Sequence, residues 1–140
     1  MTLYFDTLAL VKLVVREDGS ELATRLWASR LSATSSILAY PEGRAALAAA
    51  LRTGRLTARS HRKAVGDFQA LHQELAIVGI DSALAQDAAE LAESERLRGY
   101  DAVHLASALA LRGNTTLITW DRDLGRAAIG RGCAVAPPPG

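Results

Sequence analysis

Short apolar runs along this chain alternate with longer stretches in which apolar residues recur at helical spacing. Thr2–Phe5 has the length and character of a buried strand. Leu8–Val15 follows almost at once, apolar nearly all round, which predicts a buried helix. Glu17-Asp18-Gly19-Ser20 reads as a turn, with Ser20 capping a helix over Glu21–Ser29. Ala33–Ser35 reads as a short strand, followed by a long helical stretch to Arg52 that Thr53-Gly54 ends. Thr57 opens the next helix, to about Glu74. Ala76–Ile80 is strand-like. Asp81 or Ser82 caps a helix to about Leu97, and Gly99 stops it. Asp101–Leu111 reads as a helix ended by Gly113-Asn114, and Thr115–Thr119 as a β-branched strand. A short helix over Leu124–Ile129, a last strand over Cys133–Ala136 and a tail over Pro137–Pro139 complete the chain.

Strands alternating with helices predict an α/β fold: a mainly parallel sheet of about five strands with helices on both faces. The 140 residues suit a single domain spanning 1–140. Aromatic residues make up only 5% against 49% hydrophobic overall, so Ala, Leu and Val must fill the interior. No apolar run approaches the roughly 18–20 residues of a membrane span. No basic segment precedes the first apolar run, and a cytoplasmic location is the expectation. The lone Cys133 leaves no internal disulfide and reads as a small apolar residue.

Chemistry-bearing residues stand out against this frame. Asp6 lies just past the first predicted strand, Glu42 early in the long helical stretch, Asp101 at a helix start, and Asp121 just past the β-branched strand. Parallel sheets gather ligand groups at the carboxyl ends of their strands, where Asp6 and Asp121 fall. Each acid taken alone has a plainer reading. Asp6 and Asp101 suit helix caps, Asp121 a turn, and Glu42 an ion pair with Arg44 or exposure to solvent. Asp123 is either a further ligand or the cap of the short helix. Together the four make an oxygen-only donor set of the kind that holds Mg²⁺ or Mn²⁺.

The charge balance supports an anionic partner only once these acids are set aside. The net charge is +1, but with four carboxylates in one site sixteen basic groups face eleven remaining acidic ones. Fourteen of the basic groups are Arg, suited to bidentate phosphate contacts. By sequence proximity, Arg44, Arg98, Arg122 and Arg126 are the candidates to follow a nucleic-acid backbone. His104 shares a helical face with Asp101 and reads as a residue packed beneath the site. No Ser–His–Asp or Cys–His arrangement competes, and no glycine loop cradles a phosphate.

The segments YFDTLALVKL, YPEGRAALA, YDAVHLASAL and ITWDRDL, in that order and over nearly the whole chain, resemble the PIN-domain ribonucleases, especially the VapC-type toxins of toxin–antitoxin pairs. The third segment is the most specific. The resemblance implies a PIN-like three-layer sandwich and a Mg²⁺- or Mn²⁺-dependent endoribonuclease. Asp6, Asp101 and Asp121 would be the metal ligands, and Glu42 a ligand or the residue that positions the attacking water. Thr7 and Thr119 would support them by hydrogen bonds, with Asp123 auxiliary. It implies an RNA substrate, often tRNA or a ribosomal RNA loop, a cognate antitoxin and a homodimer. The apolar early helices suggest a groove that a partner segment fills.

The sequence departs from the family pattern at two positions. Leu8 stands where a small hydroxyl residue is usual, so the supporting hydrogen bond to Asp6 is either missing or supplied by Thr7. Pro41 precedes Glu42 and either kinks the helix or sits in its first turn. Other readings are a PIN-like nuclease of another nucleic-acid pathway, an inactive RNA- or antitoxin-binding module, and a phosphoryl-accepting receiver domain.

A shared carboxylate site predicts a metal response. Two carboxylates about 4 Å apart repel by roughly 4 kcal/mol at an effective dielectric near 20. Mg²⁺ or Mn²⁺ is expected to raise the melting temperature, and Asp6→Asn to blunt that rise. An equal response in the mutant would argue against a shared site.

Overall fold

The computed structural model describes all 140 residues as five strands and seven helices. The strands are β1 (Thr2–Phe5), β2 (Ser32–Ser36), β3 (Ala76–Val78), β4 (Thr115–Ile118) and β5 (Ala134–Ala136). The helices are α1 (Thr7–Val11), α2 (Ser20–Ser29), α3 (Ala39–Arg52), α4 (Ala58–Gln73), α5 (Ser82–Glu95), α6 (Gly99–Ala110) and α7 (Arg122–Gly130). All strand pairs are parallel, in the order β3-β2-β1-β4-β5. This order differs from that of receiver domains, in which strand 1 lies between strands 2 and 3.

The pleat of β1 divides the interior in two. Leu3 and Phe5 face a core built with α1, α3 and α4, where Phe68 and Leu47 are buried. Tyr4 faces the opposite core, built from α5, α6 and α7 around Leu105, Leu117 and Leu124. Strand β4 repeats the alternation, with Ile118 on the first side and Leu117 on the second. The result is the predicted three-layer α/β sandwich, and the small side chains let its helices lie close.

Strand β2, SATSS, has no apolar alternation, yet Thr34, Ser35 and Ser36 are buried. The hydroxyls of Ser35 and Ser36 are tolerated because they are partnered. Ser35 donates to the Phe5 carbonyl at 2.6 Å, and Ser36 accepts from the Leu38 amide at 3.1 Å.

Several element ends differ from expectation. The first helix stops at Val11 rather than Val15. Its residues Ala9, Leu10 and Val11 are buried in the chain's own core, while Leu8 on the same helix stays exposed. Ser20 does not cap α2. Its hydroxyl donates to the Val15 carbonyl and accepts from the Glu17 amide, bracing the preceding turn, while Gly19 holds the cap position at φ 92°. Gly99 is not a stop: α5 ends at Arg96, in the left-handed conformation at φ 56°, and Gly99 opens α6. Asp101 therefore sits inside the first turn of α6 rather than at its cap. Pro41 lies in the first turn of α3, and the Glu42 amide still reaches the Leu38 carbonyl at 3.2 Å, so the helix begins around the proline without losing Glu42.

Gly43 marks a close approach of α3 to α4. A Cβ added there would overlap the Phe68 ring. Removing a helical glycine ordinarily gains about 1 kcal/mol, whereas overpacking a tight contact costs about 1–3 kcal/mol. Gly43→Ala is expected to destabilise the fold in urea titration, and Gly66→Ala, with open space around it, to stabilise it. If both variants gained stability, the packing argument would be wrong.

Candidate active site

The strand order reverses at β1 and β4, and the crevice beyond their carboxyl ends is where this sheet opens to ligands. Four helices, α1, α3, α6 and α7, begin beside that crevice. Their amino ends supply unpaired amides and a positive field that favours anions. A cleft of about 470 Å³ results, lined by Asp6, Glu42, Asp101 and Asp121 with Thr7, Lys12 and others.

Capping and clustering turn out to be the same placement. Asp6 caps α1, accepting from the Ala9 amide at 2.9 Å on one carboxylate oxygen, while Thr119 donates to the other at 2.5 Å. Thr119 Oγ1 in turn accepts from the Asp121 amide at 3.0 Å. Asp121 caps α7 through the Leu124 amide at 2.9 Å. One threonine thus ties together the acids that follow β1 and β4. On the other wall, Thr7 donates to Glu42 Oε1 at 2.6 Å, and His104 Nε2 lies 3.0 Å from the same oxygen.

Burial sets the charge states. Burial pushes the Asp6 carboxyl above its ordinary range, against the pull of His104 and the bonds from Thr119 and Ala9; Asp101 adds repulsion. Charged hydrogen bonds of about 1.5–3 kcal/mol each do not offset the several kcal/mol of burying an ion. Burial also raises Asp101, opposed by Arg98 and reinforced by Asp121. Glu42 goes the other way: burial would raise it, but the bonds from His104 and Thr7 outweigh burial and hold it low.

Arg98 spans the open side. Its Nε donates to Asp101 at 3.0 Å and its terminal nitrogen to Asp121 at 3.2 Å. No three His, Cys, Asp or Glu side chains close on a common point in this arrangement. The donors remain oxygen-only and partly desolvated, which fits a hard divalent cation. The guanidinium is 64% exposed, so a competing cation can displace it.

The family model described as PIN domain matches residues 3–130. This chain belongs to the PIN-domain family. Ribonuclease VapC45 of Mycobacterium tuberculosis is 47% identical over 136 residues, 96% of this chain and 94% of that protein, which places the PIN domain among the VapC ribonucleases. Two solved structures share the fold. A toxin–antitoxin complex from Klebsiella pneumoniae has TM-score 0.68 at 20% identity, covering 97% of each chain. The sarcin-ricin loop cleaving toxin VapC20 of M. tuberculosis has TM-score 0.69 at 20% identity, covering 89% of this chain and 94% of that one.

Not every residue singled out from sequence reaches the cleft of this PIN domain. Asp123 is neither a fifth lining acid nor a cap: Asp121 takes the cap, and Asp123 faces a separate cleft with Glu95, Arg96 and Arg126. Thr7 does not support Asp6; Thr119 does, while Thr7 holds Glu42. Among the four arginines, only Arg98 lines the cleft. Arg44 lies along Tyr40, bonded to its hydroxyl at 2.9 Å, and Arg126 bonds the Gly140 carbonyl. Arg122 lies beside Gly140.

Sequence reasoning missed Lys12, Trp120, Tyr100 and the depth of the His104 network. Lys12 lies 5.2 Å from the centre of the Trp120 ring and is paired with Glu17. Its only signal was a lysine in an otherwise apolar segment.

The raised Asp6 pKa has a definite sign. The folded state binds this proton more tightly than the unfolded state, whose value is near 3.8. The contribution is fully present below 3.8 and is lost as pH rises through the raised folded value. Without metal, Asp6→Asn is therefore expected to be more stable than wild type at pH 7, the gap closing as pH falls to 3.8. Urea unfolding across this range, in chelator, measures it. Equal stability at pH 7 would mean that Asp6 carries no burial penalty.

Proposed function

We propose that this PIN domain is a divalent-metal-dependent endoribonuclease toxin, acting on tRNA or ribosomal RNA and restrained by a protein antitoxin. The observation that carries the reading is the gathering of Asp6, Glu42, Asp101 and Asp121 in one cleft, in a chain 47% identical to a VapC ribonuclease.

Asp6, Asp101 and Asp121 would hold Mg²⁺ or Mn²⁺. When bound, the ion lowers the pKa of water and offsets negative charge on phosphoryl oxygens. The protein supplies the rest. Glu42 Oε1 is occupied by Thr7 and His104, leaving Oε2 to accept a hydrogen bond from water in the cleft. Glu42 would thereby aim that water at phosphorus and take its proton. Water would add to phosphorus as the bond to the 3′ oxygen breaks, and that oxygen would take a proton from solvent, giving 3′-hydroxyl and 5′-phosphate ends. Arg98, released from Asp101 and Asp121, has the planar fork to pair with a phosphate oxygen. Asp6, anchored at both oxygens, keeps its orientation throughout.

Leu8 and Tyr100 line the cleft at 59% and 43% exposure. Exposed apolar groups at a charged site suit a protein partner that covers it. The shared fold of the Klebsiella toxin–antitoxin complex supports an antitoxin as that partner. A homodimer and a cytoplasmic location belong to the same proposal. No helix of the chain is long and apolar enough to cross a membrane. Glu42 stands in the cleft despite Pro41, and Thr119 bonds Asp6 although Leu8 carries no hydroxyl, which weakens the inactive-module reading.

Total cellular RNA incubated with the purified chain is expected to yield discrete fragments with Mg²⁺ or Mn²⁺ and none with chelator. Asp101→Asn is expected to cut at least a hundredfold more slowly, the scale of losing a group that acts in the transition state. Equal cutting by both preparations would sink the assignment of this site.

A further inference from the structure

A buried chain of hydrogen bonds runs from the second core to the cleft. Tyr4, fully buried on β1, places its hydroxyl 2.8 Å from His104 Nδ1. His104, 2% exposed on α6, places Nε2 3.0 Å from Glu42 Oε1 and 2.9 Å from Thr7 Oγ1. Two oxygens therefore face Nε2, and one belongs to a carboxylate. A lone pair there would meet the carboxylate lone pairs, so Nε2 must carry the hydrogen. On a neutral ring Nδ1 is then left to accept, and Tyr4 is its one hydrogen-bond partner.

Tyr4 is suited to donate. Burial raises its pKa well above the ordinary phenol range, so the hydroxyl keeps its proton. Ser35 and Ser107, its polar neighbours, spend their own protons on the Phe5 and Val103 carbonyls at 2.6 and 2.7 Å.

We propose that Tyr4 and His104 are positioning residues for Glu42: the Tyr4 hydroxyl fixes the His104 tautomer, and His104 Nε2–H with Thr7 pins Glu42 Oε1 so that Oε2 alone faces the cleft. The inference rests on the reading of Glu42 as the water-orienting carboxylate. Neither residue touches RNA or the reacting atoms. A carboxylate free to turn would offer either oxygen, and the aim of the water would be lost. Packing alone does not call for this arrangement, since Phe at position 4 would fill the same core and Leu at position 104 would avoid burying polar nitrogens.

The test uses the full chain with nitrogen-15 in its histidines. Long-range proton–nitrogen correlation is expected to show His104 with hydrogen on Nε2 in wild type and mixed tautomers in Tyr4→Phe. Tyr4→Phe is expected to cleave total RNA about tenfold more slowly with Mn²⁺, the scale of one positioning bond, with a melting temperature lowered only as far as the loss of one buried hydrogen bond requires. His104→Gln, whose amide can replace Nε2–H, is expected to recover most of the activity that His104→Ala loses, and to make Tyr4→Phe neutral when combined. Hydrogen on Nδ1 in wild type would overturn the proposal, as would full activity of Tyr4→Phe beside an inactive Glu42→Gln. Full activity of Glu42→Gln would instead overturn the role given to Glu42, while the tautomer measurement would still decide whether Tyr4 sets His104.

Discussion

The structure turns on one buried carboxylate. Asp6 follows the central strand, is 7% exposed, and has both oxygens committed, one to the Ala9 amide and one to Thr119. These bonds fix the exit of β1, the start of α1 and the end of β4 relative to one another. They do not remove the cost of burial, and the carboxyl is left with a raised pKa. A group that is well anchored yet poorly solvated is primed for a cation. Stability and chemistry therefore pull in opposite directions at this residue, as is common where a fold stores unfavourable charge for use.

Parallel topology turns that single placement into a site. Every strand of the sheet ends on the same edge, so the connections after β1 and β4 open side by side. The helices that follow begin there, and their first turns carry the acids. Asp6 and Asp121 satisfy the amides of their own helices and still line the cleft, because a carboxylate has lone pairs for more than one partner. Glu42 and Asp101 lie inside first turns, where the helix field favours negative charge. The cluster is thus tolerated by local structure at each of its corners.

Much of this was legible in the chain. The order of elements followed from periodicity, and the four acids from their positions at strand exits and helix starts. What was lost had physical reasons. Asp6 read locally as a cap and Asp121 as a turn, because short-range statistics do not reveal that one carboxylate can cap its helix and still line a shared cleft. Arg96 ends α5 in a conformation usually left to glycine, so Gly99 drew the boundary instead. Strand β2 carries buried serines whose partners lie on β1 and in the following turn, invisible to any alternation rule. Thr7 stood beside Asp6 in sequence but points to Glu42, and Thr119, 113 residues away, supports Asp6. Only the pairing of β1 with β4 brings that threonine to its acid.

Arg98 shows how the cleft limits the cost of its own charge. Asp101 and Asp121 repel each other, and the guanidinium lies between them. A buried arginine there would compete permanently with any ion. An exposed one, held by solvent-screened bonds and resting 4.9 Å from the Tyr100 ring, can leave without breaking the core. The acids anchored deeply, Asp6 and Glu42, are held by neutral donors and a histidine, whereas the two at the rim are held by the exposed Arg98. That division gives the floor of the site short bonds from hydroxyls and leaves its mouth to solvent-screened ones.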